Sequence, residues 1–212
     1  MTLETPFEVE IRFHFRDRQE VCEALPFLRS QLRYKGKWST TIYGRELFKS
    51  GGLLRLSKIV LDESIRWFLA WKGPDLGEFA NIRQELDEEG TNGNIESRIL
   101  PLLNGKKEIQ SPQDLDLELS SLGYEGFMSF SGNNYVGFFE PLGLDVKLMY
   151  CTDLKWPLLV ELEKTAATRE EAVHCEQQLR QFCDKFALLE KMVREEPPTL
   201  LYSNLLSDTE PC

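Results

Sequence analysis

Phe7 to Phe15 reads F-E-V-E-I-R-F-H-F, a strict alternation of apolar and polar residues. Side chains of a strand point to opposite faces with a period of two. Phe7, Val9, Ile11 and Phe13 therefore form one face, and Glu8, Glu10 and Arg12 the other. The layout returns near the far end, where Val160 and Leu162 alternate with Glu161 and Glu163, and also between, where Arg83, Glu85 and Asp87 share a face. A two-faced sheet with its charge in water explains any one such strand. Three strands with carboxylates at i and i+2 ask for more, because neighbouring acids repel unless a cation lies between them. A divalent metal ion is the simplest such cation. Arg12, Arg55, Lys72 and Arg83, the basic residues at strand positions, then suit the phosphate oxygens of a ligand.

The bulk properties narrow the field. A chain of 212 residues suits one large domain or two small ones, and a closed barrel can use the whole length. We expect one domain over residues 1–206 and a loose tail over 207–212. The net charge of −10 argues against nucleic acid as a partner, since phosphate neutralisation needs a basic face. It does not argue against a small polyanion held with metal in a local pocket. Five scattered cysteines, none in a C-x-x-C pair, read as reduced thiols. Two histidines, His14 and His174, give little for a transition-metal site, whereas Mg²⁺ or Mn²⁺ on carboxylates needs none. No stretch reaches the ~20 apolar residues of a membrane span, and the acidic start is unlike a signal peptide. A cytoplasmic protein with no membrane partner is the expectation; monomer and homodimer both stay open.

Along the chain, the patterning predicts strands at Phe7–Phe15, Thr40–Tyr43, Leu53–Lys58, Ile65–Trp71 and Asn81–Asp87. Further strands are expected at Phe127–Phe130, Tyr135–Phe139, Leu144–Tyr150 and Leu158–Thr165, with Gly132-Asn133-Asn134 as a hairpin turn joining the first two. Helices are expected at Arg18–Gln31, at Asp114–Leu122 with Gly123 as its stop, and at Thr168–Leu188 with Thr168 as N-cap. Glu88 to Asp116 is polar and broken by Gly90, Gly93, Gly105 and Pro112, and reads as a loop with helical pieces.

The string E-V-E-I-R resembles the Glu-x-Glu-x-Lys signature of the CYTH, or triphosphate-tunnel, family. Six further segments are similar to that family's pattern in the same order. These are L-L-R-L-S-K at Leu53–Lys58, W-F-L-A-W-K-G-P at Trp67–Pro74, R-Q-E-L-D at Arg83–Asp87, L-G-Y-E-G-F at Leu122–Phe127, V-E-L-E at Val160–Glu163, and L-R-Q-F-C-D-K-F-A-L at Leu179–Leu188. Y-S-N-L-L at Tyr202–Leu206 is similar to its terminal Tyr-x-x-Leu-Leu. The class IV adenylyl cyclase branch is nearest. The resemblance implies an α+β fold, a closed eight-stranded antiparallel β-barrel or tunnel with helices packed outside. It also implies Mg²⁺ or Mn²⁺ on Glu8, Glu10, Glu161 and Glu163, with Glu85 or Asp87 assisting. Arg12, Arg55, Lys72 and Arg83 would hold a small-molecule triphosphate, with Glu8, Glu10 and Arg12 at the chemistry.

The chain departs from that pattern on its cationic side. Arg12 stands where the family has Lys, Ser57 where it has a second Arg, and Phe127–Asn134 lacks its Lys-x-Arg. The metal-side Asp expected before the closing Glu-x-Glu falls near Cys151, with Asp145 or Asp153 as substitutes only after a register shift. Carboxylates thus survive better than phosphate clamps. Two readings follow. One is a metal-dependent triphosphatase, or an enzyme cyclising ATP, acting on a nucleoside, thiamine or inorganic triphosphate. The alternative is a non-catalytic barrel that binds nucleotide or polyphosphate, or a protein-interaction module.

Overall fold

The computed structural model describes residues 5–90 and 94–207. Gly93 and residues 208–212 of the expected tail lie outside the described residues. The strands are β1 (Phe7–Phe15), β2 (Arg33–Tyr43), β3 (Leu53–Leu61), β4 (Ser64–Lys72), β5 (Asn81–Gly90), the short β6 (Ile95–Glu96) and β7 (Glu108–Ile109), β8 (Gly126–Phe139), β9 (Leu144–Tyr150), β10 (Leu158–Ala166) and the short β11 (Met192–Val193). The helices are α1 (Arg18–Ala24), α2 (Arg45–Lys49), α3 (Ile99–Leu102), α4 (Pro112–Ser121), α5 (Arg169–Phe186) and α6 (Pro197–Ser207).

Hydrogen bonding orders the strands β10-β9-β8-β2-β3-β4-β5-β1-β11, and β1 also pairs with β10. The order closes on itself, so the eight long strands make the closed antiparallel β-barrel of α+β class that the sequence predicts. The chain divides into two compact units.

One unit contains Phe7–Gly36, Leu76–Ile82 and the chain from Gly132 onward. Its core lies on the apolar face of β1, β9 and β10. Val9, Ile11, Phe13, Val146, Leu148, Val160 and Leu162 pack there with Val21 of α1, Leu25 just after it, and Leu179 and Phe182 of α5. α5 follows from its sequence. The Thr168 hydroxyl accepts from the Glu171 amide, Glu170 and Glu171 suit the positive end of the helix dipole, and Ala172, Cys175, Leu179, Phe182 and Cys183 recur on its buried side.

The other unit contains Lys37–Asp75 and Arg83–Ser131. Leu54, Leu56, Leu69 and Leu86 bury one sheet face against Ile99 and Leu100 of α3 and Leu115 and Leu119 of α4. Between β5 and α4, where the sequence reads as a loop with helical pieces, the described residues include β6, α3 and β7. Glu88 holds part of this stretch: the buried carboxylate accepts from the Ser97 hydroxyl at 2.6 Å and from the amides of Arg98 and Ile99, tying the start of α3 to β5.

Two expectations need correction. The stretch Gly126–Phe139 is one continuous strand and not a hairpin. Gly132, Asn133 and Asn134 keep negative φ, and the ladder runs on through them, with Asn133 opposite Tyr150 and Asn134 opposite Met149. Pairing along β9 outweighs the local turn preference of these residues. The helix expected over Arg18–Gln31 stops at Ala24, and a 3₁₀ turn at Pro26–Arg29 takes its place. Pro26 has no amide to continue the ladder. No helix is long and apolar enough to cross a membrane among the described residues.

Candidate metal and phosphate site

In β1, β9 and β10, the face opposite the core carries charge in ordered rows. Arg12 lies opposite Glu161, which lies opposite Lys147; the neighbouring row runs Glu10, Glu163, Asp145. Glu8 and Glu10 are two residues apart on one strand face, and Glu163 is brought to them by this register. One carboxylate oxygen from each of Glu8, Glu10 and Glu163 lies within 4.8 Å of the others. Three oxygen donors at that spacing suit a hard divalent cation such as Mg²⁺ or Mn²⁺, which binds through a few carboxylates and keeps other positions for water and phosphate.

Glu161 and Arg12 are bound to each other. Arg12 is 1% exposed. Its Nε donates to Glu161 at 2.7 Å, one terminal nitrogen donates to Asn81 Oδ1 at 3.0 Å, and the other donates to Glu10 and lies 3.8 Å from Glu196. Lys147 Nζ binds the second Glu161 oxygen at 2.7 Å. Burial alone would push the Glu161 carboxyl up, but Lys147 and Arg12 outweigh it and hold Glu161 well below the usual carboxylate range. Burial likewise lowers the Arg12 guanidinium, and Glu10, Glu161 and Glu196 more than reverse this. Both groups are thus charged and mutually saturated. Glu161 holds Arg12 and Lys147 while Glu8, Glu10 and Glu163 form the carboxylate group. Arg12 orients carboxylates, and its fork matches two acids at once where a Lys would present a point charge.

The second unit gathers the other expected residues. Glu85 lies directly opposite Lys72, and its two oxygens sit 3.5 Å from Lys72 Nζ and 3.5 Å from the Arg55 guanidinium. Arg83 reaches the carbonyls of Gly51 at 2.9 Å and Gly73 at 3.0 Å, which fixes two turns. Asp87 shares the face of Glu85 and is exposed. Farther along that face, Thr40 and Ser57 share a hydrogen bond at 2.6 Å and Trp38 packs edge-on to Phe130 at 5.2 Å. The face opposite the helices therefore carries Arg55, Lys72 and Glu85 toward one end, and the Thr40–Ser57 pair, Trp38 and the Arg66–Glu89 ion pair toward the other. Ser57, standing where a second Arg was expected, is engaged with Thr40.

Sequence reasoning missed Asn81, Lys147 and Glu196. Lys147 was within reach, because L-D-V-K in β9 repeats the alternation that exposed β1. Asp145 sits opposite Glu163. Asn81 and Glu196 have no periodic signal of their own.

Comparison with solved structures follows the same lines. A protein of Pyrococcus horikoshii, PH1819, superposes with a TM-score of 0.73 at 18% identity, over 93% of this chain and 99% of that one. A candidate adenylate cyclase of Vibrio parahaemolyticus superposes with a TM-score of 0.64 at 15% identity, over 96% of this chain and 99% of that one. The chain has the CYTH-like tunnel fold. The same fold is shared by HpAC1 of Hippeastrum, a candidate adenylyl cyclase with a dominant triphosphatase activity, at a TM-score of 0.56 and 14% identity over 94% of this chain and 96% of that one. No family model matches the sequence, and no curated protein matches it. At these identities the CYTH-like likeness is one of fold.

Proposed function

We propose that the chain is a metal-dependent enzyme acting on a triphosphate, either hydrolysing a nucleoside, thiamine or inorganic triphosphate or cyclising ATP. The observation that carries this reading is the approach of Glu8, Glu10 and Glu163 oxygens to within 4.8 Å. Its occurrence on a fold shared with proteins described as cyclases and a triphosphatase supports it. Glu8, Glu10 and Glu163 would hold Mg²⁺ or Mn²⁺. The ion, when bound, supplies charge neutralisation at phosphate oxygens. Arg55 and Lys72 are the cations assigned to the phosphates, with Glu85 keeping both extended. A carboxylate of the acidic group accepts the proton of the attacking hydroxyl, from water in hydrolysis or from the ribose 3′-position in cyclisation. Arg12 and Lys147 hold Glu161 and shape the group from below. The four cysteines among the described residues are free thiols, which supports a reducing compartment and hence the cytoplasm.

The second reading, a barrel that binds ligand or partner without turnover, draws on one observation. Arg12 already has acidic partners on Nε and on one terminal nitrogen, with Asn81 on the other, so a cation expected for phosphate is engaged within the protein. One assay separates the two. ATP, tripolyphosphate and thiamine triphosphate are offered with Mg²⁺ or Mn²⁺ to the parent and to a Glu8→Ala/Glu10→Ala variant. Product from the parent alone supports the enzyme. Metal-dependent triphosphate affinity in calorimetry without product supports the binder. Absence of both leaves an interaction module and sinks the proposal.

A further inference from the structure

The connection from β4 to β5 is held in an unusual way. The amides of Glu78, Phe79 and Ala80 all donate to a single atom, Oε1 of Glu176 on α5, at 3.0, 2.6 and 2.9 Å. Arg194 donates to the carbonyls of Gly77 and Glu78 from its own side. The Leu76 amide closes the turn onto the Ile82 carbonyl at 2.8 Å, and the Arg180 guanidinium lies 4.2 Å from the Phe79 ring centroid. The turn is so tight that a Cβ on Gly77 would stand 1.9 Å from the Ala80 carbonyl oxygen. The residue that follows these three amides is Asn81, whose Oδ1 accepts from Arg12.

We infer that Glu176 is a positioning residue for the acidic group, acting through the backbone of residues 78–80, then Asn81, then Arg12. The inference rests on the metal-site reading above. Three successive amides aimed at one carboxylate oxygen form a backbone concavity with its anion built in, so the carboxylate fixes where residue 81 begins. Asn81 is the neutral member of a shell otherwise made of Glu10, Glu161 and Glu196. By occupying one terminal nitrogen of Arg12, it leaves Nε for Glu161 and the other nitrogen for Glu10. Remove that anchor and the buried guanidinium turns toward whichever acids attract it most, drawing carboxylate oxygens away from the place where Glu8, Glu10 and Glu163 meet. A group outside the ligand set thereby decides how many of those oxygens a cation finds.

The test measures Mn²⁺ binding to the intact protein by electron paramagnetic resonance or calorimetry, beside the melting temperature. Glu176→Gln is expected to raise the Mn²⁺ Kd roughly tenfold, the usual scale for outer partners of a metal site. Asn81→Ala is expected to raise it by the same factor, and the double variant no further, because both act along one chain. A purely structural role would lower the melting temperature and leave Kd unmoved. Mn²⁺ affinity within twofold of the parent for Glu176→Gln, or losses that multiply in the double variant, overturns the inference. Should Glu176→Gln not fold, Glu176→Asp and Asn81→Ala carry the same test, and parent-like affinity in both is the adverse result. A parent that binds no Mn²⁺, or a Glu10→Gln variant that binds like the parent, removes the metal-site reading and this inference together. Binding lost in Glu10→Gln but kept in Glu176→Gln removes this inference alone.

Discussion

The two compact units treat their charges in opposite ways. In the unit holding β1 and β10, Arg12 and Glu161 are almost wholly buried and each binds two or more charged partners at close range. In the unit holding β3, β4 and β5, Glu85 lies 3.5 Å from both Arg55 and Lys72; Lys72 is buried and Arg55 is about a quarter exposed. The first is a set of contacts that must be complete, because one missing partner leaves a charge buried without compensation. The second is more open at Arg55, whose side chain reaches solvent. Two arginines on charged strand faces, Arg12 and Arg55, are therefore held at different depths in the two units.

The sharpest way to break this contrast is functional. Glu8→Ala/Glu10→Ala is expected to cut metal-dependent triphosphate turnover by about a hundredfold or more, the scale of losing a metal's charge stabilisation, as read by phosphate or cyclic-nucleotide release. Next comes stability. Arg12→Met strands three carboxylates and is expected to lower the unfolding free energy by about 3–5 kcal/mol, whereas Arg55→Met should change it by about 1 kcal/mol or less; denaturant titration of both variants measures the gap, and equal losses would erase the contrast. Arg55→Met is expected instead to raise the triphosphate KM about ten- to a hundredfold, the loss of a charge-assisted contact of about 1.5–3 kcal/mol. The smallest effect is acid sensitivity at Glu20, whose carboxylate accepts from the Arg16 amide and from Lys191 and is lowered from 4.5 to about 2. A depressed carboxylate contributes stability above its unfolded value and loses it as pH falls through the folded one. The melting-temperature difference between the parent and Glu20→Gln should be full above pH 4.5 and vanish progressively toward pH 2.

The strands that bury one face were legible because burial writes itself into the period. β1 and β9 have the bounds that alternation gives, and Thr168 caps α5 as its type and position suggest. The continuous β8 was not legible, since Gly132-Asn133-Asn134 carries turn chemistry and only the facing strand β9 overrules it. α6 also escaped, because its two prolines at the start and its short run of leucines give no helical periodicity. For the site, the shared strand faces of Glu8 with Glu10 and of Glu161 with Glu163 were legible from spacing, and the structure brings oxygens of Glu8, Glu10 and Glu163 together. The division of labour that turns Glu161 into a partner of Arg12 was not, because it depends on which side chain lies across the ladder. Asn81, Glu176 and Glu196 belong to that class too: their importance comes from whom they touch.

The segment from Leu76 to Ala80 also bears on motion. Connections between strands ordinarily exchange their amide hydrogens quickly and are the first places a protease cuts. Here the amides of Glu78, Phe79 and Ala80 are all spoken for by one carboxylate, and Phe79 and Ala80 sit in the core. This turn should give up its deuterium label only on the slow timescale of the central strands and survive limited digestion intact, so that a stretch with the composition of a loop behaves as part of the rigid interior.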